Sequence, residues 1–517
     1  MLRDREKVVD LGWLLICGTF AMVWCWSAGH ALGPTFDEPF YMRAGLTNWH
    51  NLNHRELLCA GTMPLPPEVQ MLPLRLAEVF ASADPLAAWR DWLPLARMGT
   101  ILFVWTLLWG AMRLGAIYGG AWGGRLAVTL VACEPILLGH GSLATTDVAF
   151  AACLTALIAV FRGRRDAPTW CGRCLLPGLW VALTFLAKAS ALVYVPICLT
   201  MVEAERLWSN GWRPWRRPED GTSRWTPALL AWRDLSIVGL LGVAFLFMLC
   251  PRAWRGINFQ ISHNLDGHGT VYLFGQTSTT GFWYYFPAAL AIKLALPVFA
   301  LLAVMLILRP RYLLNGSLLA AAAMLLMTPS FRVQIGVRFV LPIAALAIIG
   351  VSAACARWFA EQAGARRALM GGFAALCVAW SLGSAVLVWP NGICYTNEIF
   401  GGTSQGYRSL TESNVDWGQG LNELADWEHA HDDAPLRLWY FGVDPVCMNE
   451  PFHPVLLHSI EADEVRRLCG GGYLAVSVTH LCANFHDAPA ARYLRTLQPC
   501  AQTSAYLIYD LRSVPPR

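Results

Sequence analysis

The chain carries little charge for its length. Of its 517 residues, only 14% are Asp, Glu, Lys or Arg, while 56% are hydrophobic, and the mean hydropathy is +0.43. A soluble globular protein usually has nearer a quarter charged residues. This deficit excludes a disordered chain, a fibre and an ordinary soluble enzyme. The composition predicts a polytopic membrane protein.

Lysine is scarce, and the charges are unevenly distributed. Of the 39 basic residues only Lys7, Lys188 and Lys293 are lysines, so the two beside apolar segments, Lys188 and Lys293, stand out. From Asn391 to Arg517 there are 15 acidic and 8 basic residues, a balance of −7, whereas the rest of the chain has a balance of +11. A basic membrane part and an acidic tail indicate opposite aqueous faces, not nucleic-acid binding.

Internal repeats are not visible, and no second cysteine pair accompanies the lone CxxC of Cys171 and Cys174. Zinc sites normally show two such pairs, so no clear metal site is predicted, although a divalent cation is possible and any cofactor is unknown. Most other cysteines lie in apolar runs as small hydrophobic residues. Five tail cysteines could form disulfides on an oxidising face, with the pairing left open: Cys394, Cys447, Cys469, Cys482 and Cys500.

Apolar runs of about 20 residues are long enough to cross a bilayer. The run from about 174 to 202 is predicted to form two short helices that turn near Lys188, because a single crossing would export the basic segment that includes Arg216 and Arg217. With that hairpin, the chain has about eleven spans, an uncleaved first span, a cytoplasmic amino terminus and an external tail. The remaining predicted spans lie near 11–31, 95–113, 122–139, 143–161, 232–251, 282–308, 313–329, 338–356 and 369–390.

The sequence divides into two parts. Residues 1–390 are predicted to form an all-α transmembrane domain with extracytoplasmic loops near 32–94 and 252–281, the first lying on the membrane as amphipathic pieces. Residues 391–517 contain short apolar strands (LRLWYFGV, GYLAVSV, AYLIYDL) between polar helical stretches. The fold class is therefore an all-α polytopic protein of the cytoplasmic (inner) membrane, with a small extracytoplasmic, or periplasmic, α/β domain.

Under this topology the unusual polar residues collect on the extracytoplasmic side. Ionisable groups at membrane depth are costly and usually functional. Carboxylates beside cations suit a phosphate-bearing substrate, because cations neutralise the phosphate while a carboxylate takes a proton from the incoming nucleophile. The candidates are Asp37, Glu38, Arg97, Asp147, Lys188 and Arg338, together with Arg255, His263, His268 and Tyr284 in or next to the 252–281 loop.

Each candidate also has a structural interpretation. Asp37 and Asp147 could cap helices, and the basic residues Arg97, Lys188 and Arg338 could be interfacial anchors. Loop histidines more often form hydrogen bonds than bind a metal. The tail segment DWGQ could shape an acceptor site through Asp416, Trp417 and Gln419, or could belong to a packed structural cap.

Several segments, taken in order, resemble one family. After the first span comes FDEPFYMRAG, the second span begins with LARMGT, and later segments are EPILLGHGSLATTDVAF, LTFLAKASALVYVP, GHGTVYLFGQTSTTGFWYYFPAALAIK and IGVRFVLPI. This ordered set, over roughly residues 10 to 425, resembles the integral-membrane glycosyltransferases of the GT-C fold. The resemblance is strongest to the branch with protein O-mannosyltransferases and aminoarabinose transferases. In the tail, YTNEIFGGTSQGY and SNVDWGQGL resemble bacterial members of unassigned substrate.

The resemblance implies a transferase that takes a sugar from a polyprenyl-phosphate carrier and passes it to a lipid, glycan or protein acceptor on the extracytoplasmic face of the membrane. It implies that Asp37 is the base, with Glu38 and Asp147 positioning or tuning it. It further implies that Arg97, Lys188 and Arg338 hold the phosphate and that the loop with Arg255, His263, His268 and Tyr284 closes the site. A Pro follows the Asp-Glu pair and no large β-trefoil insertion is visible, so the acceptor class stays open.

Two other functional classes remain as alternatives. A transporter or lipid flippase commonly shows repeats and ionisable groups near the bilayer midplane, and neither feature is visible in the sequence. A non-catalytic membrane scaffold is the second alternative, and it predicts that the carboxylate of Asp37 is dispensable.

Overall fold

The computed structural model describes residues 2–81, 84–215, 223–431 and 435–513. Arg216 and Arg217 of the predicted basic segment lie outside the described residues. The first part of the chain is helical except for one short hairpin, formed by β1 (Val271–Leu273) and β2 (Gln276–Ser278). Its helices are α1 (Leu2–Ala31), α2 (Glu38–Asn51), α3 (Arg55–Cys59), α4 (Leu65–Ala81), α5 (Trp89–Met98), α6 (Ile101–Ala132), α7 (Pro135–Gly141), α8 (Asp147–Arg164), α9 (Leu176–Ala187), α10 (Ala191–Ser209), α11 (Thr226–Leu249), α12 (Ala253–Asp266), α13 (Tyr285–Lys293), α14 (Leu296–Leu308), α15 (Gly316–Met327), α16 (Leu341–Ala360) and α17 (Gly364–Val388).

Many of these helices are apolar along their length. Over the described ranges, five helical stretches are long and apolar enough to cross a membrane, and α13 with α14, bent by 107°, makes a sixth if the pair counts as one. The chain is therefore a multi-pass membrane protein. The number of eleven spans stays a prediction, because several of the expected spans form shorter or bent helices. The five are Arg5–Ala31, Trp89–Ala132, Thr226–Leu249, Val337–Ala360 and Gly364–Val388.

Two helices form the centre of the bundle. The side chains of α8 are buried from Asp147 to Phe161, and nearly all of those in α16 are buried as well. A helix that is apolar on every side belongs inside a protein. Both helices pack against α6 and against each other. The first residue of α8 and the residues just before α16 line the same cavity.

The chain reverses or breaks where the sequence predicts it. Helix α6 folds back at Gly120, whose φ of 69° favours glycine. Its two arms are so close that a Cβ on Gly115 would lie 2.6 Å from the carbonyl oxygen of Gly123. The helical run near 174–202 breaks at Lys188, which has extended backbone between α9 and α10.

The tail contains a five-stranded mixed sheet with helices around it. The strand order is β4-β3-β5-β7-β6, with β3 parallel to both β4 and β5, and with β7 antiparallel to β5 and β6. The three predicted apolar segments coincide with β3, β5 and β7. All sixteen cysteines, including the five of the tail, are free thiols. The elements are α18 (Leu421–His429), β3 (Leu436–Trp439), β4 (Phe452–Pro454), α19 (Ala462–Cys469), β5 (Tyr473–Ser477), α20 (Pro489–Leu494), β6 (Ala501–Gln502) and β7 (Tyr506–Asp510).

The segment between α17 and α18 packs into the helical bundle. The ammonium group of Lys293 is buried and donates to the carbonyl oxygens of Ile393 and Asn414, at 2.8 and 2.6 Å. The side chain of Asn414 accepts a hydrogen bond from the backbone N–H of Val337, at 2.9 Å. These bonds fix the segment before the sheet against the start of the helical turn that leads into α16.

Candidate active site

A cavity of about 370 Å³ with both polar and apolar side chains in its lining lies where several segments of the bundle meet. The segments are the start of α2, the start of α8, the break at Lys188, helix α12 and the turn before α16. Six of the ten predicted site residues line it: Asp37, Asp147, Lys188, His263, His268 and Arg338. Other polar residues that line it are Tyr41, Thr62, Thr146 and Gln260.

Asp37 forms an ion pair with Arg338. Oδ2 of Asp37 accepts a hydrogen bond from Nη1 of Arg338 at 2.8 Å, and the Asp37 side chain is 28% exposed. Asp37 stands directly before α2, yet its side chain makes no capping hydrogen bond. The structural interpretation of Asp37 as a helix cap is therefore wrong, because its carboxylate is directed to Arg338 instead.

Asp147 forms a second ion pair, with Lys188. Nζ of Lys188 donates to Oδ1 of Asp147 at 2.6 Å and lies 4.3 Å from the centre of the Phe339 ring. Asp147 is the first residue of α8 and, like Asp37, makes no capping bond. Within the described part of the chain, its buried Oδ2 has no hydrogen-bond partner. The two ion pairs thus face one cavity with unused hydrogen-bonding capacity.

The tail supports Arg338 from one side. The guanidinium carbon of Arg338 lies 4.2 Å from the centre of the Trp417 ring and 5.3 Å from that of Phe339. Such aromatic faces stabilise a cation and fix the plane of the guanidinium. The neighbours of Trp417 have a different role, since the carboxylate of Asp416 bonds Ser477 and the N–H groups of Gly418 and Thr479 within the tail domain.

Arg97 does not hold a phosphate in this arrangement, which corrects the sequence-based expectation. Its side chain is 2% exposed, and its five N–H groups all bond protein oxygens: two on Glu38 and the carbonyls of Gly29, Leu32 and Gly33. Glu38 in turn accepts hydrogen bonds from the backbone N–H groups of Thr35 and Ala144. No N–H donor is left for a ligand, because a guanidinium has only five. The pair ties the loop after α1 to the start of α8.

The two loop histidines lie at the cavity, whereas Arg255 and Tyr284 do not. Nδ1 of His268 is 3.2 Å from Nε2 of His263, and the two rings are stacked. Burial, with smaller effects from neighbouring charges, lowers the pKa of His268. Arg255 lies over the ring of Trp254 and Tyr284 contacts the ring of Trp283, so neither residue reaches the cavity.

The described residues contain no group of three or more His, Cys, Asp or Glu side chains arranged to hold a metal ion.

One residue near the site was not predicted from the sequence. Glu412 has a φ of 58°, in the region that favours glycine, and lies in the helical turn Glu412–Asn414 that packs against the turn before α16. Burial raises the pKa of its carboxyl to about 7, opposed by the charge of Arg338 and assisted by those of Asp416 and Asp37. The motif SNVDWGQGL begins one residue later, but nothing in it indicates this conformation.

Comparisons with known proteins find similarity in structure only. No protein-family model matches the chain, and no curated protein matches its sequence. Among solved structures, the chain is similar to ArnT from Cupriavidus metallidurans bound to undecaprenyl phosphate, with a TM-score of 0.47 and 13% identity over 96% of this chain and 97% of that chain. It is also similar to apo ArnT from the same organism, with a TM-score of 0.45 and 14% identity over 98% of this chain and 100% of that one.

A third similar structure is the Archaeoglobus fulgidus oligosaccharyltransferase tethered with an acceptor peptide. Its TM-score is 0.46, with 11% identity over 92% of this chain and 70% of that chain. Because the TM-scores are below 0.5, the function proposed for this chain rests on its own residues.

Proposed function

We propose that the protein is a membrane glycosyltransferase. It moves a sugar from a polyprenyl-phosphate-linked donor to a lipid, glycan or protein acceptor. The observation that carries this proposal is the meeting of two carboxylates and two cations, as the pairs Asp37–Arg338 and Asp147–Lys188, in one cavity. Such a set can take a proton from a nucleophile and hold a phosphate in the same place.

Asp37 is the proposed general base. Its side chain is 28% exposed, whereas that of Asp147 is 2% exposed, so Asp37 is the more accessible carboxylate for an acceptor group that enters the cavity. It takes the proton of the acceptor while the bond between the sugar and the phosphate breaks. Asp147 holds Lys188 in position.

Arg338 and Lys188 are the proposed ligands of the phosphate. Each donates a single hydrogen bond to its carboxylate partner, and Nε of Arg338 is buried without a partner among the described residues. A guanidinium has five N–H groups and an ammonium three, so most of the N–H groups of both cations remain for phosphate oxygens. The planar guanidinium suits two phosphate oxygens at once.

The isoprenoid chain of the carrier has a proposed path beside the cavity. A groove of about 190 Å³ lies between α10, α12 and the loop at 331–333, and it shares Gln260, Val333 and Phe339 with the lining of the cavity. The groove is mostly apolar; its other members include Leu192, Ile257, Ile261 and Leu265. A chain that enters there has its phosphate at the cavity and its isoprenoid part among apolar side chains.

We place the protein in the cytoplasmic (inner) membrane with its amino terminus in the cytoplasm. The basic segments of the sequence support this orientation by the positive-inside rule, since it leaves them cytoplasmic and the acidic tail outside. The cavity and the tail domain then lie on the extracytoplasmic, or periplasmic, face.

The proposal is tested in inverted and right-side-out vesicles that contain wild type, Asp37→Asn or the control Asp91→Asn. Asp91 is an exposed aspartate of the same loop region, at the start of α5. The vesicles receive radiolabelled mannose, glucose and aminoarabinose, each on polyprenyl phosphate, with native acceptors present. We expect wild type and Asp91→Asn to release label from one carrier at the extracytoplasmic face, and Asp37→Asn to release at least about a hundredfold less.

Two results contradict the proposal. Full transfer by folded Asp37→Asn contradicts the assignment of the base. Label that crosses the membrane while still attached to its carrier indicates a flippase instead of a transferase.

A further inference from the structure

An apolar groove lies at the end of the bundle opposite to the candidate active site. Its volume is about 520 Å³, and helices α1, α6, α14, α16 and α17 form its walls. The groove reaches Phe359 in the last turn of α16, whereas Arg338 of the candidate active site stands before the first residue of the same helix. The proposed transfer of a sugar does not use the groove, so its role needs a separate explanation.

The groove is long enough for the hydrocarbon chain of a lipid. Its lining follows α17 from Met370 to Leu382, which at about 1.5 Å per residue is about 18 Å. Small side chains on this stretch leave the space open, namely Ala374, Ala375 and Ala379. The hydrocarbon core of a bilayer is about 30 Å thick, so one leaflet contributes about 15 Å. The groove therefore spans about one leaflet.

The walls of the groove offer few hydrogen-bonding groups. Among the described residues that line it, Arg125 alone is charged. The hydroxyl of Thr129 accepts a hydrogen bond from the indole N–H of Trp13 at 2.8 Å and donates one to the carbonyl oxygen of Arg125 at 2.8 Å. A hydrocarbon chain suits such a surface, because it supplies the packing contacts that the walls of an empty groove would lack.

Two arginines flank the end of the groove that lies towards the membrane surface. The guanidinium carbon of Arg125 lies 5.0 Å from the centre of the Trp122 ring, and that of Arg367 lies 4.9 Å from the centre of the Phe359 ring. The two rings pack against each other with their centres 6.4 Å apart, and both line the groove. Arg125 is paired with Asp10 at 2.8 Å, whereas Arg367 has no acidic partner within the described part of the chain. This end of the groove therefore carries an unbalanced positive charge.

We propose that this groove is a binding site for an anionic phospholipid of the membrane. One acyl chain lies along α17, and the headgroup phosphate lies at the end that Arg125 and Arg367 flank. Guanidinium groups suit phosphate oxygens, and aromatic side chains beside them are typical of the interface between membrane and water. Basic pockets between transmembrane helices on the cytoplasmic side bind anionic headgroups, and the orientation proposed above puts this end of the groove at the cytoplasmic leaflet.

A second copy of the chain suits the groove less well. Two copies in one membrane have the same orientation, so helix α17 of another copy would enter the groove with its amino-terminal end beside Arg367. The two arginines in the first turn of that helix would then lie next to Arg367, and like charges repel. An anionic headgroup instead balances the charge of Arg367, which favours the phospholipid.

The site is tested by native mass spectrometry of the purified full-length chain in detergent. The probes are phosphatidylglycerol and phosphatidylcholine with the same acyl chains, so that the two differ in the headgroup alone. We expect wild type to bind one phosphatidylglycerol at least about fivefold more tightly than phosphatidylcholine. Arg367→Gln is expected to remove about this fivefold preference, whereas the control Arg467→Gln, at an exposed arginine of the tail, keeps it.

A second pair of variants tests the position of the acyl chain. Ala379→Phe fills part of the groove, so the affinity for phosphatidylglycerol is expected to fall at least about tenfold. Leu376→Phe is the control, because Leu376 is exposed on the same helix and does not line the groove. Thermal unfolding shows whether each variant is folded, and Arg367→Gln, at an exposed position, tests the site even if Ala379→Phe does not fold.

Four results overturn this site. Equal affinity of wild type for the two phospholipids removes the role of the arginines, and unchanged binding by folded Ala379→Phe removes the groove as the place of the chain. A dimer that is lost in Ala379→Phe shows that a second copy occupies the groove. Polyprenyl phosphate that binds more tightly than phosphatidylglycerol, and is lost in Ala379→Phe, assigns the groove to the carrier. The proposed transfer of a sugar is measured separately, by release of label, and none of these results contradicts it.

Discussion

Oδ2 of Asp37 lies 2.8 Å from Nη1 of Arg338, although 301 positions separate the two residues in the chain. Asp37 comes from the loop after the first helix, and Arg338 from the turn that leads into the central helix α16. Together with Asp147 and Lys188, this pair shows that residues from four separate segments of the bundle line one cavity. The predictions below separate the residues that face a ligand from those that hold the bundle together.

The planar guanidinium of Arg338 is expected to be needed for binding of the carrier. Arg338→Lys keeps the charge but loses the fork that binds two phosphate oxygens, so we expect the affinity for polyprenyl phosphate to fall by about tenfold or more. The measurement is equilibrium binding of radiolabelled polyprenyl phosphate to purified protein. The exposed tail residue Arg467 supplies the control, Arg467→Lys. Equal affinity in Arg338→Lys and wild type contradicts a phosphate role.

Lys188 and Asp147 are expected to be coupled. Lys188→Met leaves the carboxylate of Asp147, which is 2% exposed, without its partner, and breaking such a buried pair typically costs about 3–5 kcal/mol. The double variant Lys188→Met with Asp147→Asn is expected to recover part of this loss, because no unpaired charge remains. The coupling energy is obtained from the free energies of unfolding, in detergent, of wild type, Lys188→Met, Asp147→Asn and the double variant. If the loss of unfolding free energy in the double variant equals the sum of the losses in the two single variants, the two side chains are not coupled.

Arg97 is expected to matter for stability and not for binding of the carrier. Arg97→Gln breaks a fully buried ion pair with Glu38, so we expect the protein to lose about 3–5 kcal/mol of unfolding free energy. The folded fraction is expected to bind polyprenyl phosphate as wild type does, because Arg97 has no N–H group that faces the cavity. Binding per folded molecule, measured beside Arg338→Lys, distinguishes the two arginines. A selective loss of binding by Arg97→Gln restores the expectation from the sequence.

The tail domain is expected to lose stability as the pH rises through the titration of Asp416. Burial raises the pKa of this carboxyl from 3.8 to about 6 in the folded state, so the folded state holds a proton that the unfolded state has released. The stabilisation is complete below about pH 3.8 and is lost as the pH rises through about 6, a change of about 3 kcal/mol.

Asp416→Asn is expected to remove this dependence. Since Glu412 also has a raised pKa and acts in the same direction, thermal unfolding is best compared in a Glu412→Gln background, from about pH 4 to about pH 7. An unchanged slope in Asp416→Asn shows that another group causes the pH dependence.

The sequence predicts the all-α fold class of the first part of the chain and the strands of the tail. It also predicts that Asp37, Asp147, Lys188 and Arg338 lie on the same side of the bundle. The reason is that charge bias in the loops fixes which ends of apolar runs lie on one side, and the break at Lys188 follows from the same rule. Arg97 was predicted wrongly as a ligand of phosphate. The sequence pattern of an arginine at the start of an apolar run is the same whether its N–H groups bond a ligand or protein oxygens.

Glu412 shows a second limit. Its position next to the turn before α16 depends on its own positive φ and on the hydrogen bonds of Ser413 and Asn414 to the segment at 335–337. These are contacts between segments that are about 77 positions apart, and neither hydropathy nor motif spacing records them. Only the three-dimensional arrangement brings this turn against the turn that carries Arg338.

The buried bonds from Lys293 to Ile393 and Asn414 have a consequence for biosynthesis. The turn that carries Arg338 is fastened by Asn414 and backed by Trp417, so a nascent chain that ends before these residues lacks the clamp that orients the guanidinium. We therefore expect the cavity to be complete only after translation has passed residue 417, because the side chains of Asn414 and Trp417 both contact the turn that carries Arg338. Lys293 is thus expected to influence the cavity from a distance, because it fixes the segment that supports Arg338 and does not itself line the cavity.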